Sequence, residues 1–322
     1  MIYRDRIYGD IEINDPLVLE LLQSPELERL NKIYANGIYF YFYPKVDVTK
    51  LEHSVGVWYL LKKLGASDNE QIAGLLHDVS HKVFAHVIDY LYGSASTEDH
   101  QDSIHPDFLK QGTIKEILKK YELTSEGMGN LKKWNLLDKE LPNLCADRLD
   151  YTLRDSFPIG FSNKELIQEI LNDLIIVKNQ ICLKSMAVAK KLGRLSLKMQ
   201  NEYWHTEWGD YSYHLMANIM GYALQKKYIS EQDLWMGDKQ MIDKLLETKD
   251  DSIKNNLSLI KEVRDIPITG TRKNHDLNIK YKFRVIDPLF NNKRLSEWDS
   301  EFRKEFEQSK QRAKEGHYLK IK

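Results

Sequence analysis

Alternation of apolar and polar residues along Arg6-Ile7-Tyr8-Gly9-Asp10-Ile11-Glu12-Ile13 predicts a small β-hairpin turning at Gly9-Asp10. The period then changes from two to about 3.6. After Asp15-Pro16, Leu17, Leu21, Leu22, Leu27, Leu30 and Ile33 recur at helical spacing, and Ser24-Pro25 divides them into two short helices. The aromatic and β-branched run 38–43, bounded by Gly37 and Pro44, fits a buried strand or an aromatic-rich loop equally. Leu51, Val55, Trp58, Leu61 and Leu64 predict a helix ended by Gly65, and Ile72, Leu75, Leu76 and Val79 predict a second opened by Ser67 and Asp68. Together they read as an αα-hairpin. The polar stretch 93–112 reads as the longest loop of the first half, while 114–123, 137–156, 167–174 and 187–224 read as helices. Ile175-Ile176-Val177 and Ile181-Cys182-Leu183 flank Lys178-Asn179-Gln180 as a hairpin. Past Ile266-Pro267 the pattern shifts to a strand-like 277–290 and a polar closing helix. The fold class expected is mainly α, a helical core with small β-hairpins and a C-terminal α+β extension, organised as 1–265 and 266–322.

Composition narrows what such a fold can do. Of 322 residues 42% are hydrophobic and 30% charged, and no apolar stretch is long enough to cross a bilayer, so no membrane partner is expected. The opening residues lead into no signal-peptide core, which makes the cytoplasm the expected compartment. Cys145 and Cys182 form no CxxC pair and read as core thiols. A net charge of −1 gives no global field for nucleic acid, so an anionic ligand must be gripped locally. The basic run 302–322 reads as a solvated helix face or tail.

The chemistry concentrates in two segments. Six of the ten histidines (His53, His77, His81, His86, His100, His105) fall between positions 53 and 105. Adjacent helical residues point about 100° apart, so His77 and Asp78 reach one cation only if it sits off their helix and other elements complete the shell. His53 and a later carboxylate can do so. Imidazole with carboxylate suits one divalent ion, Mn, Fe, Mg, Ni or Zn, without choosing among them. The second segment places Asp147, Asp150, Tyr151 and Asp155 on one helical stripe, with Leu144, Cys145, Leu149 and Leu153 on the other side. That stripe fits solvent or a cleft.

With both segments in view, the chain resembles the HD-superfamily phosphohydrolases, most closely the deoxynucleoside triphosphate triphosphohydrolase branch. The resemblance runs through 6–13, Pro25-Glu26-Leu27-Glu28-Arg29-Leu30, Leu51-Glu52-His53-Ser54-Val55-Gly56-Val57, Ile72-Ala73-Gly74-Leu75-Leu76-His77-Asp78, Asp147 to Asp155, and Tyr203-Trp204-His205. It implies that His53, His77, Asp78 and Asp147 hold the metal, and that metal-bound water attacks the α-phosphate of a (deoxy)nucleoside triphosphate to give nucleoside and triphosphate. It further implies phosphate contacts from His81 and His100, a general acid in His86 oriented by Asp89, phosphate gripping by Lys50 and Arg148, and sugar contacts from Tyr151, Asp155 and Tyr203. Lys50 stands where the family usually has arginine, a point charge in place of a fork. The resemblance implies a nucleotide substrate and a homo-oligomer. Three alternatives remain from the sequence: an HD phosphomonoesterase of 5′-nucleotidase type, a nucleotide- or nucleic-acid-binding regulator without turnover, and a two-metal oxygenase using His81 and His86. No Walker A, GxSxG or HExxH motif occurs.

Overall fold

The computed structural model describes residues 1–43 and 45–321 and is mainly helical, with three small sheets among them. Pro44, one bound of the aromatic run, and Lys322, the last residue of the basic run, lie outside the described residues. No helix among the described residues is long and apolar enough to cross a membrane.

The N-terminal hairpin pairs Ile2–Asp5 with Gly9–Glu12, so its turn is 6–8 rather than Gly9-Asp10. The side chain of Asp5 decides this. Its Oδ1 accepts the backbone N–H groups of Ile7 at 2.7 Å and Tyr8 at 2.9 Å, an Asx-type turn, and Gly9 leaves it at φ +77°. Asp15 and Ser24 cap the two short helices Pro16–Leu22 and Pro25–Leu30. The aromatic run is neither a strand nor a loop but mostly one 3₁₀ turn, Gly37–Tyr41. Tyr39 at its centre is buried against Tyr203, Trp208 and Tyr213.

The Lys50–Lys63 helix runs through the middle of the larger core, buried even at Ser54 and Gly56. A capping box of Thr49 and Glu52 starts it, and Arg6 of the hairpin grips Glu52 at 2.9 Å, so the N-terminal turn is tied to this helix. The Asp68–Leu76 helix packs beside it as the αα-hairpin pattern requires, and Ala146–Ser156 crosses it at Gly56. A Cβ on Gly56 would fall inside the envelope of Asp150 and Arg154, so close approach of these two helices needs the missing side chain.

Several boundaries differ from the periodicity. The 93–112 stretch contains the helix His100–Phe108, whose inward face is carried by Gln101 and His105 rather than by apolar residues, which hides it from a hydrophobic pattern. Helix in 137–156 begins only at Ala146, after Pro142. The apparent long helix 187–224 is two, Met186–Met199 and Glu207–Gln225, joined by a π turn at Gln200–Trp204. His205 leaves helical geometry there at φ −126°, ψ +78°, and Thr206 caps the second helix by accepting from Gly209 N–H.

The last sixty residues are woven into this frame. Leu289–Phe290 and Lys293–Arg294 extend the hairpin Leu174–Val177/Gln180–Leu183 into a four-stranded sheet, and Leu277–Ile279 pairs with His317–Leu319. Strand therefore occupies only the ends of 277–290. The extended middle is held by side chains instead: Ser196 Oγ accepts Ile286 N–H at 3.0 Å and Gln200 Oε1 accepts Arg284 N–H at 2.9 Å. Serine and glutamine four apart on one helical face thus replace a neighbouring strand. The Ser300–Glu315 helix buries Phe302, Phe306, Ser309 and Ala313, leaving Arg303, Lys304, Arg312 and Lys314 exposed on its outer side.

Candidate active site

Two histidines are aimed by what their Nδ1 atoms touch. His77 Nδ1 donates to the Gly74 carbonyl at 2.7 Å, and His53 Nδ1 donates to Asp150 Oδ2 at 2.7 Å. Both bonds leave Nε2 as the outward atom, the arrangement that orients an imidazole toward a cation. The two Nε2 atoms converge on Asp147 Oδ1, at 3.0 Å from His53 and 3.6 Å from His77. Asp78 completes the cluster, its two oxygens 3.6 Å from one imidazole each. Three stretches of chain therefore meet at a point, and His53, His77 and Asp147 each offer a donor atom within 4.8 Å of the others.

The donor set fits a divalent cation. His77 Nε2 is buried without any hydrogen-bond partner, a costly state for a protein built only of itself. Burial works against a charged His53, yet hydrogen bonds to Asp147 and Asp150 hold its pKa up at about 9. Burial likewise opposes ionisation of Asp147, and the hydrogen bond to His53 with the adjacent His77 imidazole pulls it far below the usual carboxylate range. The cluster demands positive charge between its carboxylates, and two imidazoles with two carboxylates suit a first-row divalent ion or magnesium.

Around this cluster opens a cavity that is continuous with solvent. His53, His77, Asp78 and Asp147 line it together with Lys50, His81, His86, Arg148, Tyr151 and Asp155. Lys50 is buried and pairs with Asp78 at 2.8 Å. His81 Nε2 lies 3.1 Å from Asp78 Oδ1, and its ring meets His86 edge-on at 5.2 Å. His86 Nδ1 donates to Asp89 Oδ2 at 3.2 Å, while Asp89 Oδ1 accepts the His100 N–H at 3.1 Å. Burial lowers the His86 imidazole to about 3, against the hydrogen bond it donates to Asp89 and with help from the Arg284 and Lys50 charges, so the ring rests neutral at pH 7.

Three residues expected at the site lie off the cavity wall. His100 stacks on Tyr92 at 4.5 Å with Nε2 unpartnered, and Asp89 stands behind His86. Tyr203 is buried against Tyr39, and its neighbour Trp204 lines the cavity in its place, because the π turn rotates the side chains that a regular helix would present. Trp204 Nε1 donates to Asp155 Oδ2 at 2.9 Å and Asn36 donates to Asp155 Oδ1 at 3.1 Å, so this carboxylate is held from both oxygens. Arg148 is anchored on Asn143 O at 3.1 Å and Asp138 at 3.3 Å.

Other groups at the site had no assigned role in the sequence reading. Asp150, fully buried, collects His53, the Tyr8 hydroxyl at 2.8 Å and Arg154 at 2.8 Å. Its place in the i, i+3 stripe was the available signal. Lys282 and Arg284 reach the cavity from the C-terminal segment, and Glu98 contacts Arg284. Two basic residues spaced by two in an extended segment share one side, a weak signal with no local partner to strengthen it.

Comparison with known proteins agrees with this geometry. The HD domain model matches residues 51–155, the stretch that carries His53, His77, Asp78 and Asp147. The uncharacterized protein YdhJ of Bacillus subtilis is 35% identical over 98% of both chains. The metal-dependent phosphohydrolase cns2 of Cordyceps militaris is 30% identical over 73% of this chain and 70% of its own. The deoxynucleoside triphosphate triphosphohydrolase SAMHD1 of Xenopus laevis is 34% identical, but over only 27% of this chain and 16% of its own. Matched over most of its length by such a relative, and with its histidines and aspartates gathered where a cation belongs, this chain is a member of the HD-domain metal-dependent phosphohydrolases.

Proposed function

We propose that the protein hydrolyses deoxynucleoside triphosphates to nucleoside and triphosphate, with His53, His77, Asp78 and Asp147 holding one divalent cation. The observation that carries the reading is a single cavity that joins this cluster to cationic side chains, Lys50 and Arg284, and to a wall of Tyr151, Trp204 and Asp155. Phosphates and a sugar call for those two walls. The local similarity to SAMHD1 supports the same substrate class. Bound there, the cation would neutralise phosphoryl charge and ease deprotonation of water.

The chain's own groups divide the remaining work. Lys50 and Arg148 place positive charge beside the phosphates. His86 donates Nδ1–H to Asp89, leaving Nε2 as the atom that takes or gives a proton. Because Arg284 and Lys50 help to keep that ring neutral, an arriving polyanion that offsets their charge raises its pKa and lets Nε2 carry a proton to the leaving 5′ oxygen. Asp155, fixed by Trp204 and Asn36, presents a rigid acceptor to the sugar hydroxyls.

A second reading, a phosphomonoesterase of the same superfamily, is favoured by Arg148 being committed to Asp138 and Asn143, which leaves fewer cations for three phosphates. One experiment tests both. Metal-supplemented protein is incubated with each dNTP and dNMP and the products are identified by mass spectrometry. Triphosphate with nucleoside is the expected outcome, lost in Asp147→Ala; inorganic phosphate from dNMP alone selects the second reading, and turnover unchanged in Asp147→Ala overturns both.

A further inference from the structure

The cavity holds more cationic side chains than are free to meet a ligand. Lys50 is paired with Asp78, Arg148 with Asp138 and Asn143, and Arg154 is sealed between Asp5 and Asp150 with no exposure. Lys282 and Arg284, which reach the cavity from the C-terminal segment, are different, and of the two Arg284 carries the planar fork. Among the described residues its guanidinium has one polar partner, Glu98, reached through Nη2, while Nε and Nη1 hydrogen-bond to nothing. Its carbon lies 5.8 Å from the Tyr151 ring centroid, and its charge is felt at His86. A planar fork with two unused donors therefore stands beside the Tyr151 ring on the wall of the cavity that His86 also lines.

Its position is built, not incidental. Arg284 belongs to the extended segment whose backbone is fastened to the Met186–Met199 helix and the π turn through Ser196 and Gln200, both buried. Gln200 also donates to the Lys282 carbonyl at 3.4 Å, so the amide closes on both sides of Phe283. The partner Glu98 is buried and sits at φ +49°, a left-handed conformation that glutamate seldom adopts. Its carboxylate has the planar, bidentate-accepting form that a phosphate also offers to guanidinium.

We propose that Arg284 grips a phosphate group of the substrate, and that Glu98 occupies the guanidinium as a stand-in that the phosphate displaces. This rests on the phosphohydrolase reading of the cavity and assigns to it a fork from outside the HD-matched stretch. The exchange conserves charge pairing: the guanidinium passes from carboxylate to phosphate, and Glu98 is released toward solvent with its left-handed turn free to relax. It also explains how a site with a lysine at position 50 can still orient a polyanion, since a point charge fixes distance and a fork fixes angle.

The test is calorimetric titration of the full-length protein with inorganic tripolyphosphate in one divalent-cation buffer. Arg284→Ala is expected to weaken binding about tenfold or more, the size of one charge-assisted bond. The double variant E98Q/R284Q, which exchanges the buried ion pair for an amide pair and keeps the packing, is expected to lose as much, with melting temperature reporting that each variant is folded. E98Q alone is expected to bind a few-fold tighter. Native protein that fails to bind tripolyphosphate, or a folded Arg284 variant within twofold of native, overturns the grip; E98Q with native affinity overturns the displacement. Because no turnover is needed, a protein that binds in this manner yet hydrolyses no dNTP would refute the substrate assignment and leave the grip standing.

Discussion

Asp150 never faces the cavity, yet it sets what His53 can do. It accepts from His53 Nδ1 and is itself held by Tyr8 and Arg154, so one carboxylate fixes the tautomer and angle of a metal-facing imidazole. Asp150→Asn is expected to weaken divalent-cation binding roughly 10–100-fold, because an amide both loses the charge and competes for the proton on Nδ1. The same change leaves Arg154 with Asp5 as its remaining buried anion, and about 3 kcal/mol of unfolding free energy should go with it. Equilibrium dialysis against Mn²⁺ and urea unfolding read the two effects, and cation affinity equal to native would contradict the orienting role. At this scale the sequence was informative where chemistry is dense locally. His53 and His77-Asp78 stood out because few residue types bind cations and six histidines crowd between positions 53 and 105, whereas Asp147 was singled out from its stripe only by the resemblance to the HD phosphohydrolases. Asp150 could be seen only as one member of a stripe, since a helical face drawn from spacing does not say which carboxylate turns toward the cavity and which toward a neighbouring helix.

Between elements, the crossing of Lys50–Lys63 with Ala146–Ser156 brings His53 to Asp147, and Gly56 permits it. In an isolated helix, Gly56→Ala would add about 1 kcal/mol of stability. Here the added methyl meets Asp150 and Arg154, and the substitution is expected to cost about 1–3 kcal/mol net and to loosen the cation site as the helices part. Urea unfolding together with cation binding checks this; a variant at least as stable as native would show that the crossing has slack. Helices with an apolar stripe were legible from periodicity. The His100–Phe108 helix was not, because Gln101 and His105 form its inward side, and neither was the break at Gln200–Trp204, where every residue taken singly is compatible with continuing. The hairpin turn was misplaced by a single side chain, Asp5, satisfying two backbone donors that a hydrophobic pattern cannot register.

For the whole molecule, a cluster that pulls two helices and the His77-Asp78 turn together only in the folded state couples ion binding to folding. At a free cation concentration one hundred times its dissociation constant, the fold should gain about 2.7 kcal/mol. Calorimetric melting with Mn²⁺ and with EDTA is expected to show the upward shift in native protein and none in His77→Ala; equal shifts in both would place the ion elsewhere. The mainly α architecture was legible in outline, whereas the path that returns residues 282–286 to the cavity was not. Contacts between positions so far apart leave no mark on local periodicity, and their cost is paid in loop closure rather than in pattern.

That return path sets an order of assembly. The ribosome makes His53, His77, Asp78 and Asp147 long before it reaches Arg284. Under the proposed grip, a cation site formed on the emerging chain would precede the fork that retains a polyanion, so cation capture would come before substrate capture.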